Sequence, residues 1–481
     1  MASVVRGDLL LHDVEVDGLR VDVTVSTAER RIANIAPVTR RQRGLDVVDA
    51  GGGALLPGLH DHHLHLLAMA AARASVPLGP PDVLDRSGLV ASLRAALDAT
   101  ATSQWVRCVG YHESVAGNLD TATLDRLVPT DRPVRIQHRS GACWILNGAA
   151  LEALAVRGAL GPGATAPDGI ERATDGQPTG RLFGLDDWLG DRVPRRALDL
   201  AAVGRELASL GITGVTDATP TDRADDVEVL ADAVTDGLAV RVVLTGGPAL
   251  PHDAAPGLAR GPVKLVTSDH ALPAIDALAD DIRAARRLGR TVAIHCVTLV
   301  GLLVAFAAWD EAGGTLPGDR VEHGAVIPPG LVAELAERGL TLVTQPRFVH
   351  ARGDAYLADV DPPDHDDLWR CGTLRAAGVA VAGSSDAPFG PADPWAAMQT
   401  AVGRTTSGGR SFGPGEAVDA STALGLYLAP LEHPGAGPRR VVVGATADLC
   451  LLDRPLAAAL ADLDARAVSL TMAGGRIVHR A

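Results

Sequence analysis

Histidines spaced two residues apart are the most chemically distinctive feature of this 481-residue sequence. The segment PGLHDHHLH at residues 57–65 contains two His-x-His pairs, His60/His62 and His63/His65. Because side chains alternate between the two faces of a strand, each pair shares one face and the two pairs point in opposite directions. His63 and His65 lie nearer the carboxyl end of the predicted strand, so we predict that this pair binds metal.

Four further candidates each accompany an apolar run. His295 closes TVAIHC and His323 closes RVEHG, which places both histidines at the same end of successive predicted strands. Asp386 follows the last predicted strand in VAVAGSSDAP, where an aspartate is more commonly a helix N-cap. Lys264 lies inside the apolar segment GPVKLVTSDH, and a buried lysine is costly unless it is paired or modified.

This set of side chains predicts a divalent metal site. Neutral imidazole and carboxylate suit zinc, and also iron, nickel or manganese. One tetrahedral shell needs four ligands, which is fewer than this sequence offers in His63, His65, His295, His323 and Asp386. The surplus indicates two metal ions if Lys264 supplies a bridging ligand. A free ammonium group cannot ligate, but carbamylation by CO₂ would turn it into a carboxylate.

An alternation of strands and helices must hold these residues. Short apolar runs alternate with helix-length segments, which is typical of a parallel sheet. Apolar residues at three- and four-residue spacing predict helices at residues 223–236 and 277–288. Candidate strands end at Leu59, Thr216, Leu244, Val266, His295, His323, Thr344 and Gly383. Eight such units predict an α/β fold, a (β/α)₈ TIM barrel with its site at the carboxyl ends of the strands.

The remaining segments predict two additions to the barrel at residues 58–436. Residues 1–57 and 437–481 contain short strand-like runs, among them Val441–Val443, and neither piece could hold a core alone. We therefore expect both termini to form one composite β-domain, a small β-sandwich. Residues 70–200 are too long for one βα connection and contain strand-like runs at 105–109 and 133–136, so we expect an inserted subdomain over the barrel mouth.

Composition excludes several classes of partner. The net charge is −14 without a stripe of Lys and Arg, so nucleic acid is not an expected partner. The five cysteines form no CxxC motif and are odd in number, which favours reduced thiols and a cytoplasmic location. The first residues contain no sustained apolar run, so we expect neither a signal peptide nor a membrane partner. The sequence leaves a homodimer open.

The sequence resembles the amidohydrolase superfamily, and within it the amidohydrolase-3 or YtcJ-like group that includes N-substituted formamide deformylases. The resemblance covers nearly the whole chain and includes DAGGGALLPGLHDHHLH, RVEHGAVIPP and GSSDAPFGPADPW. The order of the ligands, His-x-His, Lys, His, His, Asp, also matches. The resemblance implies a composite β-domain from both termini and a carboxylated Lys264 that bridges two metal ions, with Zn²⁺ expected and Fe, Mn or Ni as alternatives.

The same resemblance implies hydrolysis of a non-peptide C–N bond in a small molecule, such as an amide, formamide, carbamate or cyclic amide. The expected nucleophile is a metal-bridged hydroxide, since metal lowers the pKa of water from 15.7 to about 7. Asp386 would take a proton from the attacking water and pass it to the leaving nitrogen. His323 would ligate metal or contact the tetrahedral intermediate.

Substrate contacts are predicted for Trp144, His270, Gln345 and Arg347, although hydrogen bonding within loops explains the last three equally well. The chain departs from the group near these positions. Ser140-Gly141-Ala142-Cys143 precedes Trp144 where the group has Asp-Gly-His, and Ser268-Asp269-His270 replaces Asp-Gly after Lys264. A relative's substrate is therefore not transferred. Two alternatives stay open, a mononuclear deaminase-type hydrolase with a structural Lys264, and a metal-binding scaffold whose catalysis is reassigned or lost.

Overall fold

The computed structural model describes residues 8–39, 45–101, 103–156, 167–194, 196–220, 224–251, 255, 257–267 and 272–481. Over these residues the chain is mixed α/β. The strands are β1 (Leu9–Val16), β2 (Leu19–Ser26), β3 (Arg31–Pro37), β4 (Asp46–Asp49), β5 (Leu55–Pro57), β6 (Leu59–Leu64), β7 (Val76–Pro77), β8 (Val106–Tyr111), β9 (Val134–His138), β10 (Cys143–Leu146), β11 (Ile170–Arg172), β12 (Pro178–Phe183), β13 (Ile212–Asp217), β14 (Arg241–Leu244), β15 (Leu258–Arg260), β16 (Val263–Val266), β17 (Val292–Cys296), β18 (Arg320–His323), β19 (Thr341–Thr344), β20 (Ala380–Gly383), β21 (Leu449–Leu452), β22 (Val468–Ala473) and β23 (Arg476–Arg480).

The α-helices are α1 (Leu66–Arg73), α2 (Arg86–Ala99), α3 (Glu113–Ala116), α4 (Thr121–Leu127), α5 (Gly148–Val156), α6 (Asp186–Gly190), α7 (Leu200–Ser209), α8 (Ala224–Asp236), α9 (Ile275–Arg287), α10 (Leu299–Glu311), α11 (Pro329–Glu337), α12 (Arg347–Asp359), α13 (Gly372–Ala376), α14 (Pro394–Gly403), α15 (Ala420–Gly425) and α16 (Leu456–Ala461). The chain divides into two compact units. The larger unit comprises Met1–Leu66 with Leu200–Ala481, and the smaller unit comprises Leu67–Asp199. No helix in the described ranges is long and apolar enough to cross a membrane.

Two parallel sheets dominate the larger unit. Their strand orders are β15-β14-β13-β6 and β16-β17-β18-β19-β20. Only Gly261 and Pro262 separate β15, which ends the first sheet, from β16, which begins the second. Proline has no backbone N–H to donate to a ladder, which accounts for the break. At the opposite edges, Asp386 N donates to His63 O and His65 N donates to Ala387 O, each over 2.8 Å.

The strand boundaries follow the predictions at seven of eight positions. The described strands end at the predicted residue or one residue later, from β13 at Asp217 to β20 at Gly383. The exception is Leu59, which was predicted to end a strand and instead begins β6. Every residue of β6 is buried, so its polar histidines are interior residues of a strand and do not form a loop. The pairing of β6 with β13 outweighs the local polarity that suggested a strand end.

The predicted helices are confirmed. Residues 224–236, the described part of the predicted segment 223–236, form α8. The segment 277–288 lies largely within α9, which buries Leu278, Ala279, Ile282 and Ala285. This spacing of three and four residues places one apolar stripe on the core, as helical periodicity requires.

Strands from both ends of the chain share one apolar cluster. The sheet β3-β2-β1-β4 is N-terminal, whereas β23-β22-β21-β5 is mainly C-terminal. Leu11 and Val23 of the first sheet pack in the same cluster as Leu449 and Leu470 of the second. The prediction of a strand at Val441–Val443 is wrong: this segment is a loop, and Val443 is 59% exposed. Val441 is buried in the shared cluster, but Val442 and Val443 are exposed, and a run buried at one residue only is not stabilised as a strand.

The smaller unit is built on the sheet β11-β12-β10-β9-β8-β7. The predicted strands at 105–109 and 133–136 correspond to β8 and β9. Its core includes Leu89 and Leu93 of α2, which pack against Cys108 and Ile136 of the sheet.

All five cysteines are buried free thiols. Burial raises the pKa of Cys108 and Cys450 to about 12 and that of Cys371 to about 11. Thiols with such values are inert as nucleophiles at neutral pH.

Candidate metal centre

Three of the predicted ligands converge at the carboxyl ends of β6 and β20. Nε2 of His65 lies 3.3 Å from Oδ1 of Asp386, and Nε2 of His63 lies 3.6 Å from the same oxygen. Within the described chain, one candidate ligand atom from each of these residues lies within 4.8 Å of the other two. Two imidazole nitrogens and a carboxylate oxygen at this spacing are able to hold a single metal ion.

Backbone hydrogen bonds bring the ligands together. Besides the two bonds that join the edges of the sheets, Oδ1 of Asp61 accepts from the backbone N–H groups of His63, over 3.1 Å, and Ser385, over 3.2 Å. Burial raises the pKa of Asp61 to about 7, although these donors oppose the shift. Asp386 itself has a φ of 55°, in the left-handed region that non-glycine residues seldom adopt. The loop therefore holds Asp386 in a strained conformation, a feature common at functional sites.

His323 and His295 extend the site into a row of imidazoles. The ring centroids are 5.4 Å apart for His65 and His63, 4.7 Å for His63 and His323, and 4.5 Å for His323 and His295. His323 ends β18 with a φ of 70°, a second strained residue at the same edge. The structure thus places the four predicted histidine ligands side by side.

A chain of hydrogen bonds fixes the tautomer of His323. Ser384 Oγ donates to Thr344 O over 3.0 Å and accepts from Gln345 Nε2 over 2.9 Å. The amide oxygen of Gln345 consequently faces His323 Nδ1 at 2.8 Å, so that nitrogen carries the proton. The lone pair of His323 therefore resides on Nε2.

Lys264 lies on β16 and is buried. Its Nζ has no hydrogen-bond partner among the described residues. Burial lowers the pKa of this amine, while the nearby carboxylates of Glu322 and Asp386 oppose that shift. An unpartnered buried amine carries a substantial free-energy cost, and a modification or an added ligand would remove it.

The charge states suit a divalent cation. Burial lowers the pKa of His63 and His295 well below the usual value and that of His323 to about 3, so these imidazoles are neutral at neutral pH. Burial alone would raise the pKa of Asp386. The hydrogen bond with His65 and the neighbouring His323 and His63 outweigh it, and the pKa falls below its usual range. Neutral nitrogens and an ionised carboxylate are the donor forms that metals require.

Glu322 is a site residue that sequence analysis missed. Its side chain is fully buried, Oε2 contacts Nδ1 of His63, and Oε1 lies 2.6 Å from Nε of Arg320. A glutamate inside the apolar run RVEHG was the available signal, because a carboxylate in a buried strand requires partners. His65 has a neutral partner instead, with Thr219 Oγ1 3.1 Å from its Nδ1.

The other His-x-His pair has different neighbours. Nδ1 of His60 lies 2.8 Å from the carbonyl oxygen of Ala429, and the rings of His60 and His62 are 6.1 Å apart. Burial lowers the pKa of His62 to about 3. Neither of these residues belongs to the group that could hold a metal within the described ranges.

Two of the predicted substrate-binding residues lie close to the ends of β19 and α12. Gln345 is buried and bonded to both His323 and Ser384. Arg347 begins α12, with Nη1 3.3 Å from the hydroxyl of Thr400, and burial lowers its pKa. The hydrogen bonds of Gln345 give it a role in orienting His323. Substrate contact by either residue stays a prediction.

Substrate contact by the other two predicted residues, Trp144 and His270, also stays a prediction. Trp144 is in the smaller unit and only 4% exposed, and its Nε1 donates to Asp186 over 2.8 Å. The guanidinium groups of Arg107 and Arg135 lie 5.2 and 5.1 Å from its ring centroid. Trp144 is therefore a packed residue of its own unit. His270 lies outside the described residues.

Two histidines and an aspartate at the carboxyl ends of parallel strands, with His63 and Asp386 buried and His65 partly exposed, are a donor set of the kind that metal-dependent hydrolases use. The model of the amidohydrolase family matches residues 46–479, and the chain belongs to that family. The predicted resemblance is thereby confirmed. So is the predicted enzyme class at the level of the family, a hydrolase of carbon–nitrogen bonds other than peptide bonds.

Individual relatives are distant but nearly full-length. The chain is 26% identical to the N-substituted formamide deformylase of Arthrobacter pascens, over 85% of each chain. It is 25% identical to the putative amidohydrolase YtcJ of Bacillus subtilis (strain 168), over 90% of each chain. An uncharacterised metal-dependent hydrolase from Pyrococcus horikoshii OT3 has a similar fold, with a TM-score of 0.72 at 19% identity, over 93% of this chain and 98% of that one.

Proposed function

We propose that this chain is a metal-dependent amidohydrolase that cleaves a non-peptide C–N bond in a small molecule. The observation that carries the proposal is the convergence of His63, His65 and Asp386 in a member of the amidohydrolase family. Candidate substrates are amides, formamides, carbamates and cyclic amides. The Arthrobacter pascens relative is named for N-substituted formamides, which puts formamides first among the substrates to test.

The architecture in this proposal is a (β/α)₈ barrel at residues 58–436 with an inserted subdomain within 70–200. The continuity of the chain from β15 to β16 and the bonds from β6 to the Asp386 loop support a closed barrel. The shared apolar cluster supports one composite β-domain, a sandwich of residues 1–57 and 437–481.

The donor set fits a divalent metal. His63, His65 and Asp386 would hold one ion, and His295 and His323 would hold a second if Lys264 is carboxylated and bridges the two. The unpartnered Nζ of Lys264 and the free lone pair on Nε2 of His323 support this assignment. Zn²⁺ is the expected metal, with Fe, Mn and Ni as alternatives. When bound, the metal supplies Lewis-acid chemistry at the reacting carbonyl.

Asp386 is the proposed general base and acid. Its pKa lies below the usual range, so the carboxylate is ionised at neutral pH, the form that a general base requires. The same oxygen then delivers that proton to the leaving nitrogen, which cannot depart as an anion. His323 holds its proton on Nδ1, which suits a metal ligand better than a hydrogen-bond donor to the tetrahedral intermediate.

One observation favours the alternative with a single metal ion. Only three candidate ligands in the described chain lie within one short radius, and His295 and His323 are outside that group. A single ion with a structural Lys264 would give a deaminase-type site.

Metal content and activity together test the proposal. Metal-loaded protein should hydrolyse at least one member of a panel of N-substituted formamides, acyl amides, carbamates and cyclic amides, and a chelator should abolish that activity. Two equivalents of metal with a carbamylated Lys264 in intact-protein mass spectra would support the binuclear form. One equivalent with an unmodified lysine in fully active protein would favour the mononuclear form. A metal-loaded protein inactive on the whole panel would contradict the proposed function and favour a scaffold.

A further inference from the structure

A buried ion pair stands directly behind one proposed ligand. Glu322, on β18, is fully buried, and its two carboxylate oxygens have different partners. Oε1 lies 2.6 Å from Nε of Arg320, which is itself only 2% exposed, and Oε2 contacts Nδ1 of His63. The carboxylate therefore connects a buried cation to a buried imidazole.

This contact fixes the orientation of His63. A carboxylate only accepts hydrogen bonds, so Nδ1 of His63 carries the proton and Nε2 carries the lone pair. Nε2 is also the nitrogen that faces Asp386, at 3.6 Å. The ring is thus held with its lone pair directed at the proposed metal position.

The three oriented histidines differ in the charge of their partners. His65 has the hydroxyl of Thr219 at 3.1 Å, and His323 has the amide oxygen of Gln345 at 2.8 Å. Only His63, among these three, has a carboxylate as the partner of Nδ1, the nitrogen that faces away from the proposed metal position. Hydrogen bonds to ionised groups are stronger than neutral ones, and a carboxylate behind a ligating histidine increases its strength as a ligand.

We propose that Glu322 is a positioning residue that holds His63 as the strongest histidine ligand of the metal centre, with Arg320 neutralising the buried carboxylate. This inference rests on the metal centre proposed above. Arg320 serves the ligand indirectly, because a lone buried carboxylate would otherwise carry a large desolvation cost.

The test compares Zn²⁺ affinity in two matched variants. Zn²⁺ is titrated into metal-free protein in competition with a chromophoric chelator, and the metal-free proteins are melted in parallel. Glu322→Gln should weaken Zn²⁺ binding by about 10- to 100-fold. Glu416→Gln is the control, because Glu416 is also buried and paired with an arginine, Nη1 of Arg370 at 2.6 Å, outside the metal centre. It should lower the melting temperature without a change in Zn²⁺ affinity.

The outcomes distinguish failure of the positioning role of Glu322 from failure of the proposed metal centre. If Glu322→Gln does not fold, the variant with Arg320→Met added removes both buried charges and should fold while keeping the loss of affinity. Zn²⁺ affinity within twofold of wild type in the folded variant would overturn the positioning role, as would an equal loss in Glu416→Gln. Failure of the wild-type chain to bind any of Zn²⁺, Fe²⁺, Mn²⁺ and Ni²⁺ would instead overturn the metal centre itself, and the inference with it.

Discussion

Asp386 combines a strained backbone with a negative charge that its neighbours stabilise. Its φ of 55° is held by the bond from its own N–H to His63 O, and its carboxylate lies beside three imidazoles. The side chain is held with Oδ1 near Nε2 of His63 and His65. A carboxylate that is fixed in direction and ionised fits both of its proposed roles, as a metal ligand and as the proton acceptor.

Asp386→Asn tests that role. The amide keeps one oxygen near Nε2 of His65 but cannot accept and return a proton, so turnover should fall by about 10²- to 10⁴-fold while metal content stays largely intact. The measurement is kcat on the active panel substrate with metal analysis of the same sample. Near-wild-type turnover would rule out the proton shuttle, and loss of metal would assign Asp386 mainly to ligation.

Glu416 gives a pH-dependent prediction away from the metal centre. Burial alone would raise its pKa, but hydrogen bonds from Thr373, Arg370 and the N–H of Cys371 lower it below the ordinary 4.5. A depressed folded-state pKa stabilises the protein above the unfolded-state pKa, and this contribution is lost as the pH falls through the folded-state value.

Glu416→Gln should therefore lower the free energy of unfolding by about 1.5–3 kcal/mol at pH 7. The difference in unfolding free energy between variant and wild type should become smaller as the pH falls below about 4.5. Urea unfolding at pH 7 and at pH 4 measures both differences. A difference that is the same at the two pH values would show that the carboxylate charge contributes nothing.

At the scale of elements, the carboxylate of Asp319, just before β18, accepts hydrogen bonds from three neighbouring residues. Its Oδ1 accepts from the N–H of Val292 on β17, and its Oδ2 accepts from Nε1 of Trp309 on α10 and from the N–H of Leu316. Since β17 carries His295 and β18 carries His323, the same side chain sets the relative position of two proposed ligand strands.

Asp319→Ala should lower the free energy of unfolding by about 2–4 kcal/mol, because it leaves buried donors without an acceptor. Asp280→Ala is the matched control, since Asp280 is 76% exposed and pairs only with Arg283 on its own helix among the described contacts. The control should change stability by less than about 1 kcal/mol. If chemical denaturation gave equal losses of unfolding free energy for the two variants, the proposed role of the Asp319 hydrogen bonds would be contradicted.

The sequence predicts elements well where apolar periodicity agrees with burial. The stripe of α9 and the strand ends around Lys264 and His323 are of this kind. Two predictions failed where polarity does not match burial. Leu59, predicted to end a strand, begins one whose polar histidines are buried, and the strand predicted at Val441–Val443 contains Val442 and Val443, which are apolar but exposed. Neither divergence is visible in a local pattern, because the partners that bury or expose a segment come from elsewhere in the chain.

The metal site also has features that a local sequence pattern predicts and features that depend on distant parts of the chain. Strand alternation and nearness to the carboxyl end of the strand favoured His63 and His65 over the equally spaced His60 and His62, and the structure brings the favoured pair close to Asp386. The contact of Glu322 with His63 joins residues separated by 259 positions, and the bonds of Gln345 depend on Ser384 on a neighbouring strand. Such pairings arise only from the assembled sheet, so the sequence could nominate ligands but not the residues that orient them.

At the scale of the whole molecule, the two termini depend on each other. The C-terminal residues Val441, Leu449, Leu451, Leu470 and Met472 pack in the cluster that also buries N-terminal side chains. A chain truncated after residue 436 would expose Leu11 and Val23 to solvent, and fully burying a side chain of this size contributes about 1.5–3 kcal/mol.

We therefore expect the truncated chain to be insoluble or strongly destabilised. Solubility and the melting temperature measure the effect, with the variant Leu470→Ala as a milder comparison, which should cost about 2–5 kcal/mol. A truncated protein that melts at the wild-type temperature would contradict the shared core.

The shared cluster also has a consequence in time. A ribosome adds Leu470 several hundred residues after Leu11, and at about 5–20 residues per second the interval is on the order of tens of seconds. Throughout that interval β1 and β2 have no partner sheet, and their apolar faces are accessible to chaperones or to other nascent chains. The core of the first sheet is therefore complete only after the segment that contains Leu449 and Leu470 has been made.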